Sequence, residues 1–168
     1  MKKLIFTFVV ALMALAANAQ QIMTFNQFAP GNNPLVYHTD NLFMYIVDNK
    51  NKMECDEGIR TFRDGKRFTT RLKTGGRSAR GNQIFLSVKA KGKLHIYAAS
   101  SSSEENRPIT VMKGTTVMVS DVIENYNKMP IIVDIEKIGE YQIMYPEGPI
   151  NIYGIYLEEE KPEVAPHP

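Results

Sequence analysis

Arg67, Arg71 and Lys73 recur at alternate positions in RFTTRLK (67–73), and Arg77 and Arg80 follow just past Gly75-Gly76. Arginines at this spacing suit carboxylates, because the planar guanidinium fork holds a carboxylate through two parallel hydrogen bonds. On an extended segment Arg67, Thr69, Arg71 and Lys73 share one side, while Phe68, Thr70 and Leu72 share the other. The basic side is either a surface for an acidic polymer or a solvated sheet face whose charges discourage edge pairing, and the pattern admits both. Tyr97, Tyr153 and Tyr156 are the aromatic candidates for stacking on a sugar ring. In NIYGIYLE the two tyrosines differ in parity, so period-two alternation sends Tyr153 and Tyr156 to opposite faces. Asn151 has the chemistry to donate to a sugar hydroxyl, though its place just after Pro149 favours a turn.

Catalytic and metal-binding patterns are poor. His38, His95 and His167 are the three histidines, and no G-x-S-x-G or H-E-x-x-H accompanies them. The carboxylates of DIEKIGE and LEEEKPE read as an acidic strand face and a solubilising tail. Asp56, Glu57 and Asp64 have the right oxygens for calcium without a D-x-D-x-D loop to gather them. Neither a catalytic residue, a metal nor a cofactor is expected. Cys55, the single cysteine, lies in MECDEG with no histidine or second thiol nearby and reads as a buried or half-buried free thiol.

These side chains must be positioned by strands. LFMYIV (42–47), RFTTRLK (67–73), QIFLSVKA (83–90), KLHIYAA (93–99), PITVMK (108–113), TTVMVS (115–120), IIVDIEKI (131–138), EYQIMY (140–145) and NIYGIYLE (151–158) are short and β-branched or aromatic-rich, and Gly, Pro, Asn, Asp or Ser bound them. That pattern predicts an all-β chain built as an antiparallel sandwich. Ile84, Leu86, Val88 and Ala90 are expected in the core, with Phe85, Ser87 and Lys89 facing the other way. Leu94, Ile96 and Ala98 point in, and Lys93, His95 and Tyr97 point out. Asp64-Gly65 predicts a tight hairpin, and Lys91-Gly92-Lys93 predicts a second one.

The first 19 residues read as a secretory signal peptide: two lysines, an apolar run from Leu4 to Ala17, and Ala17-x-Ala19 before the cleavage site. The run is too short for a membrane span. One domain is expected over 20–159, with a disordered tail over 160–168. Without Lys2 and Lys3 the chain carries 18 Lys and Arg against 18 Asp and Glu, but they are segregated. Residues 60–93 hold eleven basic side chains against Asp64 alone, and 121–168 hold ten acidic ones against Lys128, Lys137 and Lys161. In an exported chain the partner implied by the basic block is an acidic polysaccharide or a cell-envelope protein, and not a nucleic acid.

DGKRFTTRLKTGG (64–76), Arg80 ahead of a strand, KLHIYAASSSSEENRPITV (93–111) and GEYQIMYPEGPINIYGIYLEE (139–159) together resemble the jelly-roll accessory domain of secreted pectate-lyase-like proteins of Bacteroidetes, over about residues 42–159. The resemblance implies a galactose-binding-like sandwich similar to carbohydrate-binding modules, usually joined to a catalytic β-helix. Arg80 and Arg107 match positions at strand starts in those domains, where they either brace loop carbonyls and carboxylates or touch ligand. The chain departs from the pattern in having no repeat that would build a β-helix and no tryptophan. The function that the resemblance implies is non-catalytic polysaccharide recognition, with a structural or protein-interaction module of the envelope as the alternative.

Overall fold

The computed structural model describes residues 21–25, 36–126 and 129–161. The expected signal peptide (1–19) and residues 162–168 of the expected tail lie outside them. Twelve strands are described: β1 (Met23–Thr24), β2 (Val36–His38), β3 (Leu42–Asp48), β4 (Glu54–Thr61), β5 (Arg67–Lys73), β6 (Asn82–Val88), β7 (Gly92–Ser100), β8 (Arg107–Lys113), β9 (Thr116–Ile123), β10 (Ile131–Ile135), β11 (Gly139–Met144) and β12 (Ile150–Glu159). They form two antiparallel sheets. The first has the order β10-β7-β12-β5-β4, with β1 also on β12; the second is β2-β3-β6-β11-β8-β9. Beyond three hairpins the chain crosses from sheet to sheet at every connection from β5 onward except β8–β9, as in a jelly roll.

The sandwich closes because alternate residues of both sheets are apolar. Leu42, Met44, Ile46, Ile84, Leu86, Val88, Ile109, Val111 and Ile143 of the second sheet meet Leu72, Leu94, Ile96, Ala98, Val133, Ile152 and Ile155 of the first in one buried cluster. Each large aliphatic side chain buried there stabilises the fold by roughly 1.5–3 kcal/mol. Cys55 is buried in the same cluster, 2.8 Å from the Tyr37 hydroxyl.

Several expectations change. β4 has no counterpart among the predicted strands: in ECDEGIRT the one strongly apolar inward residue in its first half is Cys55, so no alternation announces it. Lys91-Gly92-Lys93 is not a hairpin, because β6 and β7 belong to different sheets and the segment carries the chain across the sandwich. Asn151 lies within β12, paired with Lys73 and Ala99, and not in a turn. The Asp64-Gly65 hairpin forms as expected, joining β4 to β5, with Gly65 at φ 85°.

That hairpin does not stay in its sheet. β5 pairs with β12 only at Asn151 and Ile152, β12 then bulges before Gly154, and β1 takes over the vacated edge at Gly154 and Ile155. A second irregularity between Glu57 and Arg60 bends β4. Freed by the two, the far half of the hairpin lies over the outer face of β7 and β12, where Phe62 and Phe68 pack on Tyr97.

Candidate functional site

The basic stripe is answered by the strand beside it. Arg71 donates from Nε to Asp56 Oδ1 at 2.8 Å and from Nη2 to Oδ2 at 3.3 Å. Lys73 meets Glu54 and lies 3.3 Å from Asp56. The register makes these directly opposite pairs, Glu54 with Lys73 and Asp56 with Arg71. Burial pushes the Asp56 carboxyl up, but the bonds from Arg71 and the charge of Lys73 outweigh it and hold it below the usual range. The bond to Asp56 holds the Arg71 guanidinium above its usual value, and the bond to Glu54 does so for Lys73. Arg71 and Lys73 are therefore committed inside the sheet, while Arg67, Arg77 and Arg80 are exposed. Arg107 braces a loop: it donates to the Glu147 carbonyl at 3.3 Å, meets Glu105, and lies so close over Gly148 that a Cβ there would come within 2.3 Å of Nη1.

The tyrosines are a second core. Tyr153 and Tyr156 share one face with Tyr97, contrary to the parity expectation, because the bulge between Ile152 and Gly154 resets the alternation. Phe62, Phe68 and Ala99 bury all three, and Tyr97 is 0% exposed. The Tyr97 hydroxyl donates to Asp64 at the hairpin tip at 2.5 Å, and the Lys66 ammonium stands 4.9 Å from the Tyr156 ring centroid. His95 stacks on Tyr156 at 4.3 Å, with Nε2 3.1 Å from Glu158. His95 and Tyr97 thus lie on the outer face of their sheet, as expected, but are buried there by the hairpin. Among the described residues this face offers no open ring to a sugar.

On the outer face of the second sheet, the side chains are exposed or half-buried among the described residues. Tyr45 of β3 is directly opposite Phe85 of β6, which is opposite Gln142 of β11, which is opposite Met112 of β8. Val47 and Gln83 form the next row toward one end of the strands, and Phe43, Ser87 and Glu140 the row toward the other. All are exposed or half-buried. The Tyr45 and Phe85 rings stack at 4.8 Å with 13° between planes, and the Tyr45 hydroxyl donates to Glu140 Oε2 at 2.8 Å. Burial of the ring and then that bond raise the Tyr45 phenol above its usual pKa. Gln83 and Gln142 make no side-chain hydrogen bond among the described residues, leaving amide donors and acceptors beside two apolar rings. Such a mixture suits a pyranose, whose C–H face packs on aromatic carbon and whose hydroxyls need both kinds of partner. None of these residues was a candidate from sequence. The signal was nonetheless present, since the alternation of QIFLSVKA faces Phe85 away from the core.

Elsewhere, a cleft of about 660 Å³ lies between the start of β7 and the ends of β10 and β12, with Lys93 and Asp134 bridged across it at 2.7 Å. Among the described residues no group of three His, Cys, Asp or Glu is arranged to hold a metal, and no helix is long and apolar enough to cross a membrane.

No protein-family model matches this sequence, and no curated protein does. Solved structures do. A chain from work on glycan recognition by the Ruminococcus flavefaciens cellulosome is 17% identical, covering 79% of this chain and 100% of its own, with a TM-score of 0.44. The CBM51-2 and INT domains of Clostridium perfringens ZmpB are 6% identical over 82% of this chain and 31% of theirs, at 0.45. CsCBM6-3 of Clostridium stercorarium, solved in complex with cellobiose, is 11% identical over 84% and 95%, at 0.38.

Proposed function

We propose that this protein is an exported, non-catalytic carbohydrate-binding module that takes a polysaccharide chain on the outer face of the sheet containing β3, β6 and β11. The observation that carries the reading is the half-open Tyr45–Phe85 stack flanked by the uncommitted amides of Gln83 and Gln142. Phe43, Ser87 and Glu140 extend the same surface along the strands. The exposed cations Arg77 and Arg80, in the connection that leads into β6, favour an acidic chain over a neutral one. Kinship with the accessory domains of secreted pectate-lyase-like proteins, suggested by the motifs at 64–76, 93–111 and 139–159, is part of the same proposal.

Affinity electrophoresis and calorimetry on a panel of neutral and acidic polysaccharides test it. Tyr45→Ala and Phe85→Ala are each expected to weaken binding about tenfold, equivalent to about 1.4 kcal/mol, while leaving the unfolding transition cooperative. A wild-type chain that binds nothing on the panel overturns the reading.

A second reading, a protein-interaction module of the envelope, is favoured by one observation. Among the described residues no strand pairs with the outer edge of β9, and Val117 and Val122 on it are 55% and 59% exposed.

A further inference from the structure

Two loops meet where β3 ends and β6 begins, and they bring together four cations that form no ion pair among the described residues. The β3–β4 connection (49–53) carries Lys50 and Lys52, and the β5–β6 connection (74–81) carries Arg77 and Arg80. The loops are in contact along their backbones. Asn49 N donates to the Gly81 carbonyl at 2.9 Å. Gly75, at φ 63°, is pressed so close to the other loop that a Cβ there would lie 1.8 Å from the Lys52 carbonyl oxygen. A Cβ on Gly76 would meet Lys52 Cδ at 3.5 Å, and one on Gly81 would meet Lys50 Cε at 3.9 Å. The Lys52 stem therefore runs beside the residue before Arg77, and the Lys50 stem beside the residue after Arg80.

Among the described residues no ion pair neutralises this group. Lys66, Arg71, Lys73, Lys93 and Arg107 each meet a carboxylate. Lys50, Lys52, Arg77 and Arg80 are all exposed and form no ion pair among the described residues. Of the two carboxylates closest in sequence, Glu54 meets Lys73, and Asp48 is turned to the backbone, accepting from Lys52 N and Met53 N at 2.9 Å each. Like charges carried on two abutting loops and held in no ion pair raise the local potential and favour an anionic partner.

The display is also rigid. Buried Thr74, Ser78, Asn82 and Tyr145 tie the β5–β6 loop down from beneath. Ile150 N donates to Thr74 Oγ1 at 2.9 Å, Tyr145 N to Ser78 Oγ at 2.9 Å and Ser78 N to the Tyr145 carbonyl at 3.0 Å. Asn82 Nδ2 donates to the Arg77 carbonyl at 3.2 Å while the Tyr145 hydroxyl donates to Asn82 Oδ1 at 3.1 Å. A loop already ordered loses little entropy when a ligand docks. The Val47–Gln83 row of the open face is followed directly by the Asp48–Asn82 pair from which both loops leave, so the cations stand at one end of the aromatic surface.

We infer that Lys50, Lys52, Arg77 and Arg80 form an anion-binding subsite that takes the carboxylate or sulfate groups of a polysaccharide whose rings lie across Tyr45 and Phe85. The placement of the rings across Tyr45 and Phe85 rests on the proposed function; the anion-binding subsite does not.

Polygalacturonate and its methyl ester share a backbone and differ in charge, so they separate the two surfaces. In Lys52→Gln/Arg77→Gln/Arg80→Gln, binding to polygalacturonate is expected to fall at least tenfold and to lose most of its salt dependence, while binding to the ester stays within about twofold. A control with the same change in net charge, Lys91→Gln/Lys137→Gln/Lys161→Gln, is expected to behave as wild type. Dextran sulfate against dextran is the matching pair for sulfate. Tyr45→Ala/Phe85→Ala should weaken the ester and the acid alike. If that double variant changes neither polymer but the triple variant still loses the acid, the aromatic platform fails and the subsite stands. Equal loss in the triple variant and its charge control overturns the subsite, as does no wild-type binding to either polyanion, or duplex DNA bound as tightly as polygalacturonate.

Discussion

Asp56 carries more of the outer hairpin than its single charge suggests, since it accepts from Arg71 through both oxygens and lies against Lys73. Asp56→Asn leaves two half-buried cations without that partner, and a loss of about 1–3 kcal/mol is expected in denaturant unfolding. The pH dependence has a defined sign. Asp56 and Asp64 both titrate below the usual carboxylate range in the folded chain, burial opposing and the bonded cations and Tyr97 hydroxyl prevailing. The unfolded chain therefore binds protons more readily. The stability these groups add is complete above the ordinary carboxylate value of about 3.9 and drains as pH falls through it toward their lowered folded values. Unfolding midpoints between pH 5 and pH 2.5 should fall less steeply in Asp56→Asn than in wild type, and parallel curves would assign the acid loss to other groups. At this scale the sequence is a partial guide. It shows that 67, 71 and 73 are basic, but whether a cation is free depends on what lies opposite, and the opposite strand is the one without an apolar alternation.

At the scale of elements, two bulges decide what the outer faces look like. In β12 the irregularity before Gly154 puts Tyr153 and Tyr156 on one side, and in β9 the shift opposite Val111 and Met112 lets Met118 turn toward the core while Val117 faces out. A bulge adds one residue to one strand and reverses every parity beyond it, so a period-two reading is correct up to the bulge and inverted after it. Strands without bulges were legible: the burial of β3, β6 and β10 alternates as their sequences do. The same logic explains why Gly154 is a glycine. The Phe68 ring lies where its side chain would stand, and a Cβ would come 2.4 Å from Phe68 Cε1. Gly154→Ala is expected to displace the ring, lift the hairpin from Tyr97 and cost about 1–3 kcal/mol. Faster proteolysis at the 62–66 tip, together with a lower thermal midpoint, would report it, and an unchanged cleavage rate would show that the ring has room to shift.

For the whole molecule, the four sheet edges are protected unequally. β4 carries Glu54, Asp56, Glu57 and Arg60, β2 has three residues, and β10 has five with Asp134 near its end. β9 has eight residues and Asp121 as its one charge. Charged or short edges resist pairing with a second chain, whereas a long apolar edge presents free N–H and C=O groups beside valines. The connection after β9 and the start of β10, which follows it, add exposed Tyr126, Met129 and Ile132 nearby. Without Lys2 and Lys3 the chain carries 18 basic against 18 acidic side chains, so copies of it have no net charge to keep them apart, and this flank is where they should meet as concentration rises. Val117→Lys places a charge on an exposed position of that edge without touching the core, and it should leave the unfolding midpoint within about 0.5 kcal/mol of wild type. Sedimentation velocity over a hundredfold concentration range is expected to show self-association in the wild-type chain and a shift to monomer in Val117→Lys. Polysaccharide binding on the open face should be the same in both. Association that survives Val117→Lys and Val122→Lys together would place the contact elsewhere, and loss of glycan binding along with association would mean that the two surfaces act as one.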